Sequence, residues 1–520
     1  MNRTNDRTND RTNDRTNDRT NDRTNDRTND RTNDRMIPHP TYDGTPCHRL
    51  DHSCDSNERT NECTDDHTTP TQHPDYTDEA KIIHDHLYGD VPMSHVAIRL
   101  IDTPLYRRLS DIRQTSMAWR VFPAAQHSRL NHQVGVYGLS HQTLDSLVRR
   151  KKLIISNTCE ILSSQEMVQR ITEGDLPRIS HEEAEWICLG GLLHDLGHGP
   201  ASHTFDDLIE SLIEEGHIPT DCVWRTHEER SQYMFRELVA KEPDRFGLTE
   251  DAVDYICNVI NPPADCEHDF RFQFINNEIN GVDLDKIDYL ERDRYVFGLS
   301  DHIDIKRLID NSSICSGPIA LDEVVVESGV VGAAAAPDTC QGTYWTFGER
   351  TRDDIFALFM TRYKLYRNIY NHPKIVKFEL AYTNVLRSNV EDIVDTFMRL
   401  DTDSFAEMTD SSMLWRAEDT VRREFGDRNT FRLIPETDIE CAAQGIDVAK
   451  FKSIVRFDQK VGFFGKSGFN PFIHIRFHDR TTNRIVRLAP TEINIFLGFN
   501  CTGETLRYRY GYNGSVPRTI

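Results

Sequence analysis

Val134, Tyr137, His141, Leu144 and Val148 recur every three or four positions, and Ala184, Ile187, Cys188 and Gly191 repeat that spacing further along the chain. A period of this length predicts amphipathic helices that bury one face, and it prevails from about residue 78 to 435. His141 lies on such a packing stripe, where a histidine is a core or boundary residue before it is a ligand. The period then changes. Val324, Val325 and Val326 precede a Gly/Ala-rich connector and then Tyr344, Trp345 and Phe347, which predicts a hairpin with an elaborated loop. From about residue 450, alternation in FIHIRFHD and RIVRLAP predicts strands. The fold expected is mostly α, with a helical core over 78–435 and a small α+β lobe over 436–520.

Residues 1–77 carry no apolar period. Eight tandem copies of RTND run from Arg3 to Asp34, each with one cation, one anion and no apolar side chain. With nothing to bury, such a segment cannot offset roughly 1–2 kcal/mol of ordering entropy per residue, so a disordered, charge-balanced tail is expected. Met36, just after the repeats, is a candidate alternative start. His39, His48, His52, His67 and His73 share the tail with three cysteines, at spacings that fit no ordered metal site.

A formal charge of −23 argues against a sequence-independent nucleic-acid coat, so any polyphosphate site must be local. Nucleic-acid binding is not indicated; the basic run Arg149, Arg150, Lys151, Lys152 reads first as a solvated helix end favoured by the helix dipole. No apolar run reaches the roughly 18 residues that span a bilayer, and the amino terminus lacks an apolar signal core. No membrane partner is expected, and an intracellular protein of cytoplasm or nucleus is. Twelve cysteines without close pairs predict reduced thiols rather than a disulfide framework.

The stretch Gly191 to Phe205, GLLHDLGHGPASHTF, concentrates histidines around an adjacent His194-Asp195 pair. Helix neighbours point about 100° apart, yet at a helix end just before Gly197 and Gly199 an imidazole and a carboxylate can converge on one ion. Such a site needs further ligands. His132 in HSRLNHQVG and Asp285 in NGVDLDKIDYLERD are candidates, with Asp283, Asp288 and Asp293 as competing neighbours of the latter.

These segments, together with VFPAAQHSRLNH, HDLGHGPASHTFD and THEER, resemble in order and spacing the HD-domain deoxynucleoside triphosphate triphosphohydrolases. The likeness is strongest to the animal enzymes that pair this domain with a sterile alpha motif, which has no visible counterpart here, and weaker to bacterial dGTPases. It begins near Lys81, runs to about Arg432 and continues faintly towards residue 510. The resemblance implies an HD-domain helical core that hydrolyses dNTPs to deoxynucleoside and inorganic triphosphate, controlling dNTP levels. It implies His132, His194, Asp195 and Asp285 as ligands of one transition-metal ion, with iron, manganese and zinc all suited. Magnesium would accompany the triphosphate. His203 would be the general acid, supported by His227 and Asp206, with His198 the remaining catalytic histidine. Arg129, Lys286 and Arg362 match phosphate contacts. Gln114, Tyr289 and Asp293 match residues around the sugar 3′-hydroxyl, and Tyr370 with Thr115 would crowd the 2′ position. Tyr366 stands near the base. Thr115 replaces a leucine of the animal enzyme, Tyr366 a histidine and Asn371 a glutamine, so sugar and base selection are expected to differ.

A nucleotide effector and a homo-oligomer, dimer or tetramer, are also implied. Lys81, Ile82, Asp102, Arg428 and Arg432 match parts of an effector site, whereas Ser110 stands where an arginine would contact guanine and cannot replace its charged fork. The alternatives are another HD-type nucleotide phosphohydrolase, or a non-catalytic nucleotide- or RNA-binding sensor.

Overall fold

A computed structural model of the chain describes residues 81–158, 160–300, 302–318, 341–462, 471–478, 485–488 and 504–514. The RTND repeats, the histidines of the tail, Met36 and Val324–Val326 lie outside the described residues. All that is described falls within one compact unit, Pro74–Ile520.

That unit begins with an antiparallel hairpin, β1 (Lys81–Asp85) and β2 (Gly89–Met93), where helix was expected from residue 78. The reversal turns on Gly89, whose φ of 76° suits a residue without Cβ, and Val91 and Met93 alternate into the core. The helical body follows. Its principal helices are α1 (Arg129–Arg149), α2 (His181–Leu193), α3 (His203–Glu214), α4 (His227–Lys241), α5 (Glu250–Ile260) and α6 (Leu284–Val296). Local chemistry sets their starts. Ser180 and Thr226 cap α2 and α4 reciprocally with Glu183 and Glu229, and Asp283 caps α6 by accepting the Lys286 N–H at 2.8 Å. α1 packs on α2 and α6, and α2 on α5. Val136, Leu139, Leu189, Leu192, Ile256, Ile287 and Leu290 are fully buried. Each such side chain contributes about 1.5–3 kcal/mol relative to exposure. On the α1 stripe Val134, Tyr137 and Leu144 are buried, Val148 is exposed, and His141 is half-buried against the Tyr137 ring, centroids 4.8 Å apart.

Tyr344, Trp345 and Phe347 lie on the expected strand, β4 (Gln341–Gly348), which pairs in a hairpin with β3 (Ser312–Pro318), upstream of the segment expected, with Ile314 opposite Trp345. Two further helices, α7 (Arg352–Leu365) and α8 (Pro373–Arg387), flank a wider helical turn at Tyr366–Tyr370. Besides a short parallel pair, Ile154–Ile155 with Arg178–Ile179, further strands are β5 (Phe431–Ile434), β6 (Ser453–Val461), β7 (Phe477–His478), β8 (Ile485–Val486) and β9 (Glu504–Tyr512). With β3 and β4, strands β5 to β9 form two sheets, β8-β7-β4-β3 and β5-β9-β6; β9 pairs antiparallel to β6 from Glu504↔Val461 to Tyr512↔Ser453. The FIHIRFHD segment departs from the all-strand expectation. Pro471–His474 is a helical turn, which proline favours at its first position, and only Phe477–His478 is extended. The fold is mostly α with small sheets, as expected.

Among the described residues no helix is long and apolar enough to cross a membrane. Described cysteines 188, 222, 257, 266, 315 and 441 are unpaired thiols. Of the basic run, Arg149, Arg150 and Lys151 are exposed at the end of α1, and Arg150 pairs with Asp310 at 2.7 Å.

Candidate metal centre and adjoining proton-transfer cluster

α2 ends at Leu193, so His194 and Asp195 leave the helix together at its carboxyl end. The Gly191 carbonyl lies 2.7 Å from His194 Nδ1, which fixes the ring and turns Nε2 inwards. His132, from the first turn of α1, brings its Nε2 within 3.2 Å of His194 Nε2. Asp285, from the first turn of α6, places Oδ1 2.9 Å from His132 Nε2 and 3.3 Å from His194 Nε2. Donors bound at about 2.1 Å stand about 3.4 Å apart round a tetrahedral ion and about 3.0 Å apart round an octahedral one, so His132, His194 and Asp285 could hold a metal. Asp195 stands slightly outside. Its oxygens are 3.6 Å from each imidazole Nε2, and its Oδ2 accepts from Arg129 Nη1 at 2.6 Å.

The competing aspartates separate by position. Asp283 caps α6 and holds Lys286 Nζ at 3.1 Å. Asp288 Oδ2 lies 2.6 Å from His132 Nδ1, so it orients that imidazole from behind. Arg292 donates to both Asp288 oxygens at 2.9 Å, and its other nitrogen reaches Asp85 of β1 at 2.9 Å. Only glycine fits opposite: a Cβ at Gly135 would lie 2.0 Å from Arg292 Nη2.

Burial would lower the His132 pKa, but its hydrogen bonds to the Asp285 and Asp288 carboxylates push it up to about 10, while His132 and His194 hold Asp285 below its usual range despite its burial. A proton and a cation therefore compete for one place. A histidine raised from about 6.5 stabilises the fold fully below that pH, and the gain is lost as pH rises through the folded value. Metal-stripped protein should therefore lose stability between pH 6.5 and 10, by up to about 1.4 kcal/mol per pH unit for such a group, whereas manganese-loaded protein should not. Chemical denaturation across that range with and without chelator checks this; parallel curves would contradict it.

A second cluster adjoins the first through one ring. Buried His198 has Nε2 3.2 Å from Asp195 Oδ1 and Nδ1 3.7 Å from Asp206 Oδ2. The same Asp206 oxygen lies 3.3 Å from His203 Nδ1 and 3.4 Å from His227 Nδ1. Arg230, fully buried, holds Asp206 Oδ1. Burial alone would raise the Asp206 pKa, but Arg230 and the imidazoles bring it well below the carboxylate range, and Asp206 in turn raises that of His227 against burial. His198 and His227 stack with centroids 4.0 Å apart, whereas the His203 side chain is 68% exposed.

A close backbone approach locks the two clusters. A Cβ at Gly197 would lie 2.3 Å from the His227 carbonyl oxygen and 2.6 Å from Arg230 Cβ. In that gap Arg230 Nε donates to the Gly197 carbonyl at 2.7 Å, and Ser231 Oγ accepts the Gly197 N–H at 2.8 Å.

Around these clusters the expected substrate residues divide into two groups. Arg129 is buried between Asp195 and Ser202 Oγ, 2.9 Å from its Nε. The Arg362 guanidinium lies 4.2 Å from the centre of the Tyr366 ring, and its raised pKa, against burial, draws on Tyr366 and Tyr289. Tyr370 donates to Asp293 Oδ2, while His127 Nε2 lies 2.5 Å from Asp293 Oδ1. Tyr366 and Tyr370 open and close the wide helical turn, a distortion common at functional sites. The Gln114 side-chain oxygen and Thr115 hydroxyl are buried without hydrogen-bond partners among the described residues. Elsewhere, Lys81, Asp102, Ser110, Arg428 and Arg432 are exposed; Arg107 foremost, then Lys81, lowers the Asp102 pKa.

Four residues that shape the site were missed. His127 and Asp288 sit inside quoted motifs, but nothing in spacing says which ring or carboxylate they face. Arg108, buried, donates to the Leu196 and His198 carbonyls at 2.7 Å, pinning the loop between the clusters. Asp410 accepts from Ala201 N at 2.6 Å and from Arg113 N at 3.0 Å, so it joins the turn before His203 to the one bearing Gln114 and Thr115. Ala201, Ser202 and Ser116 have positive φ, strain that only firm anchoring maintains. Asp410→Ala should leave two buried N–H groups unpaired, destabilise the fold by about 2–4 kcal/mol and lower activity; calorimetry and turnover check both, and an unchanged melting temperature would contradict the anchoring.

No protein-family model matches the chain. In sequence the chain is similar to HD-domain proteins and to deoxynucleoside triphosphate triphosphohydrolases. In particular, it is 25% identical over 347 residues to an HD domain-containing protein of Acanthamoeba polyphaga mimivirus, spanning 66% of this chain and 65% of that one. It is 28% identical over 308 residues to the deoxynucleoside triphosphate triphosphohydrolase SAMHD1 homolog of Dictyostelium discoideum, covering 58% and 48% of the two chains. Against the human deoxynucleoside triphosphate triphosphohydrolase SAMHD1 the identity is 24% over 486 residues, covering 81% of this chain and 69% of that one. The matched region is thus less than two thirds of the viral and Dictyostelium proteins.

Proposed function

We propose that the protein is a metal-dependent hydrolase that cleaves dNTPs to deoxynucleoside and inorganic triphosphate. The observation that carries this is the single imidazole, His198, between a cluster that could hold a metal and a cluster that can deliver a proton. The names of the relatives support the substrate class. His132, His194 and Asp285 hold a transition-metal ion, with Asp195 as the fourth ligand when its carboxylate turns from Arg129. When bound, such an ion supplies Lewis acidity towards a phosphate oxygen and a water nucleophile. Arg129, Lys286 and Arg362 bind the triphosphate and its magnesium-neutralised charge. Water gives one proton to solvent and attacks the α-phosphorus, the bond from phosphorus to the sugar oxygen breaks, and His203 gives its proton to that oxygen and regains one from solvent. Its exposure suits it to meet a substrate, while Asp206 and His227 hold it in place. Asp293, braced by His127 and Tyr370, accepts from the 3′-hydroxyl, and Tyr289 and Gln114 close the sugar site. Exposed Lys81, Asp102, Arg428 and Arg432 serve an effector nucleotide between copies of the chain.

The test is product identity. Incubation with dGTP, dATP and GTP in manganese should yield deoxynucleoside and intact triphosphate by mass. Monophosphate with pyrophosphate would instead make the protein another kind of HD phosphohydrolase, and no product under any nucleotide mixture would favour a sensor. Thr115→Leu should lower GTP turnover several-fold relative to dGTP by filling the space beside the 2′ position; an unchanged ratio would remove Thr115 from sugar selection.

A further inference from the structure

We propose that His198, His203, Asp206 and His227 form a second transition-metal site, separate from the centre at His132, His194 and Asp285, whose occupant takes the place of the His203 Nδ1 proton and so disables His203 as an acid. The four ligand atoms lie within 4.8 Å of one another. Three of them are Nδ1 atoms arrayed 3.3, 3.4 and 3.7 Å from one carboxylate oxygen, Asp206 Oδ2, close to the edge of about 3.4 Å expected round a tetrahedral zinc ion.

The way each ring is held points to a cation rather than to a chance group of histidines. His227 Nε2 lies 3.2 Å from Glu228 Oε1, and His198 Nε2 lies 3.2 Å from Asp195 Oδ1. Both imidazoles therefore have a carboxylate behind Nε2 and present Nδ1 to the same point, the arrangement that orients metal-ligating histidines. Arg230 occupies Asp206 Oδ1 and leaves Oδ2 to face the rings. Among the described residues that buried Oδ2 and Nδ1 of the fully buried His198 ring make no hydrogen bond, so two unmet polar atoms are aimed into the cluster. Three imidazoles with one carboxylate favour zinc, cobalt or nickel over magnesium or calcium. His203, exposed at the rim, gives an ion a way in. Arg230, bonded to Asp206 Oδ1, draws on that carboxylate's charge and repels a cation, which sets affinity below that of the first centre.

The inhibitory consequence rests on His203 being the acid: with Nδ1 bound to an ion the ring cannot become an imidazolium, and its remaining Nε2–H is too weak an acid to protonate a leaving group. The mode is competition between a metal and a proton, with excess zinc or cobalt as the inhibitor.

Cobalt(II) titration of chelator-treated full-length protein, followed by visible absorption, reads the site without activity. Two equivalents should bind. His203→Gln with His227→Gln should lose the weaker equivalent alone, and His194→Ala with Asp195→Asn should lose the tighter one alone, with circular dichroism showing that each variant is folded. A single equivalent in the unaltered protein, or loss of neither equivalent in the His203/His227 variant, overturns the second site. If two equivalents bind but no dNTP is cleaved, the site stands and the proposed function falls. If dNTPs are cleaved and zinc in excess over the first centre leaves the rate unchanged while the second equivalent is bound, the inhibitory role is overturned.

Discussion

A chain carrying His194→Ala and Asp195→Asn is expected to lose its tightly bound transition metal and on the order of 10⁴-fold in kcat, since the groups that would activate the nucleophile are gone. The fold should survive. The His194 backbone keeps its bond from Ser231 Oγ whatever the side chain, and the amide that replaces the Asp195 carboxylate keeps an oxygen for Arg129, whose buried guanidinium would otherwise lose the partner now at 2.6 Å. Metal content by elemental analysis, steady-state turnover and melting temperature separate the outcomes. Normal turnover with metal absent would refute the centre.

Arg292→Met is expected to have the largest effect on stability. Arg292 is fully buried and answers two buried carboxylates, Asp288 through two nitrogens and Asp85 through a third. Removing one partner of such a network strands the others in a low-dielectric interior, and about 3–5 kcal/mol is typical. The effect should reach the metal. Asp288 orients His132 Nδ1, so a relaxed Asp288 should weaken metal affinity by about 10–100-fold. Denaturant unfolding and a competitive chelator titration measure the two effects; a variant as stable as the parent would show that Asp85 and Asp288 find other partners.

The legible part of this protein was written in local periodicities. The α1 stripe Val134, Tyr137 and Leu144 and the strand β4 with Tyr344, Trp345 and Phe347 followed from spacing, because each is decided by which face of an element is apolar, whereas its partner β3 at Ser312–Pro318 was not foreseen. The β1–β2 hairpin escaped because its strands are short and one face is polar; only Val91 and Met93 alternate into the core. Within the site, the residue types needed for metal binding and proton transfer could be chosen from motifs. Their partners could not. Asp283, Asp285 and Asp288 share one short run, and only their angular placement on α6 makes one a cap, one a neighbour of both imidazoles and one a brace. Asp410 and Arg108 act from sites far along the chain from the backbone groups they hold, a relation that no single-chain period encodes.

The contact at Gly197 has a consequence for how this protein can fail and change. With the His227 carbonyl and Arg230 pressed onto a residue that lacks a side chain, the two clusters are faces of one mechanical part. On heating, they should be lost in the same event, leaving no intermediate that keeps its metal but has shed its acid. In descent the same contact makes their spacing an inherited constant: substrate loops can drift around it, but the interval between metal and acid can be retuned only by changing both sides at once.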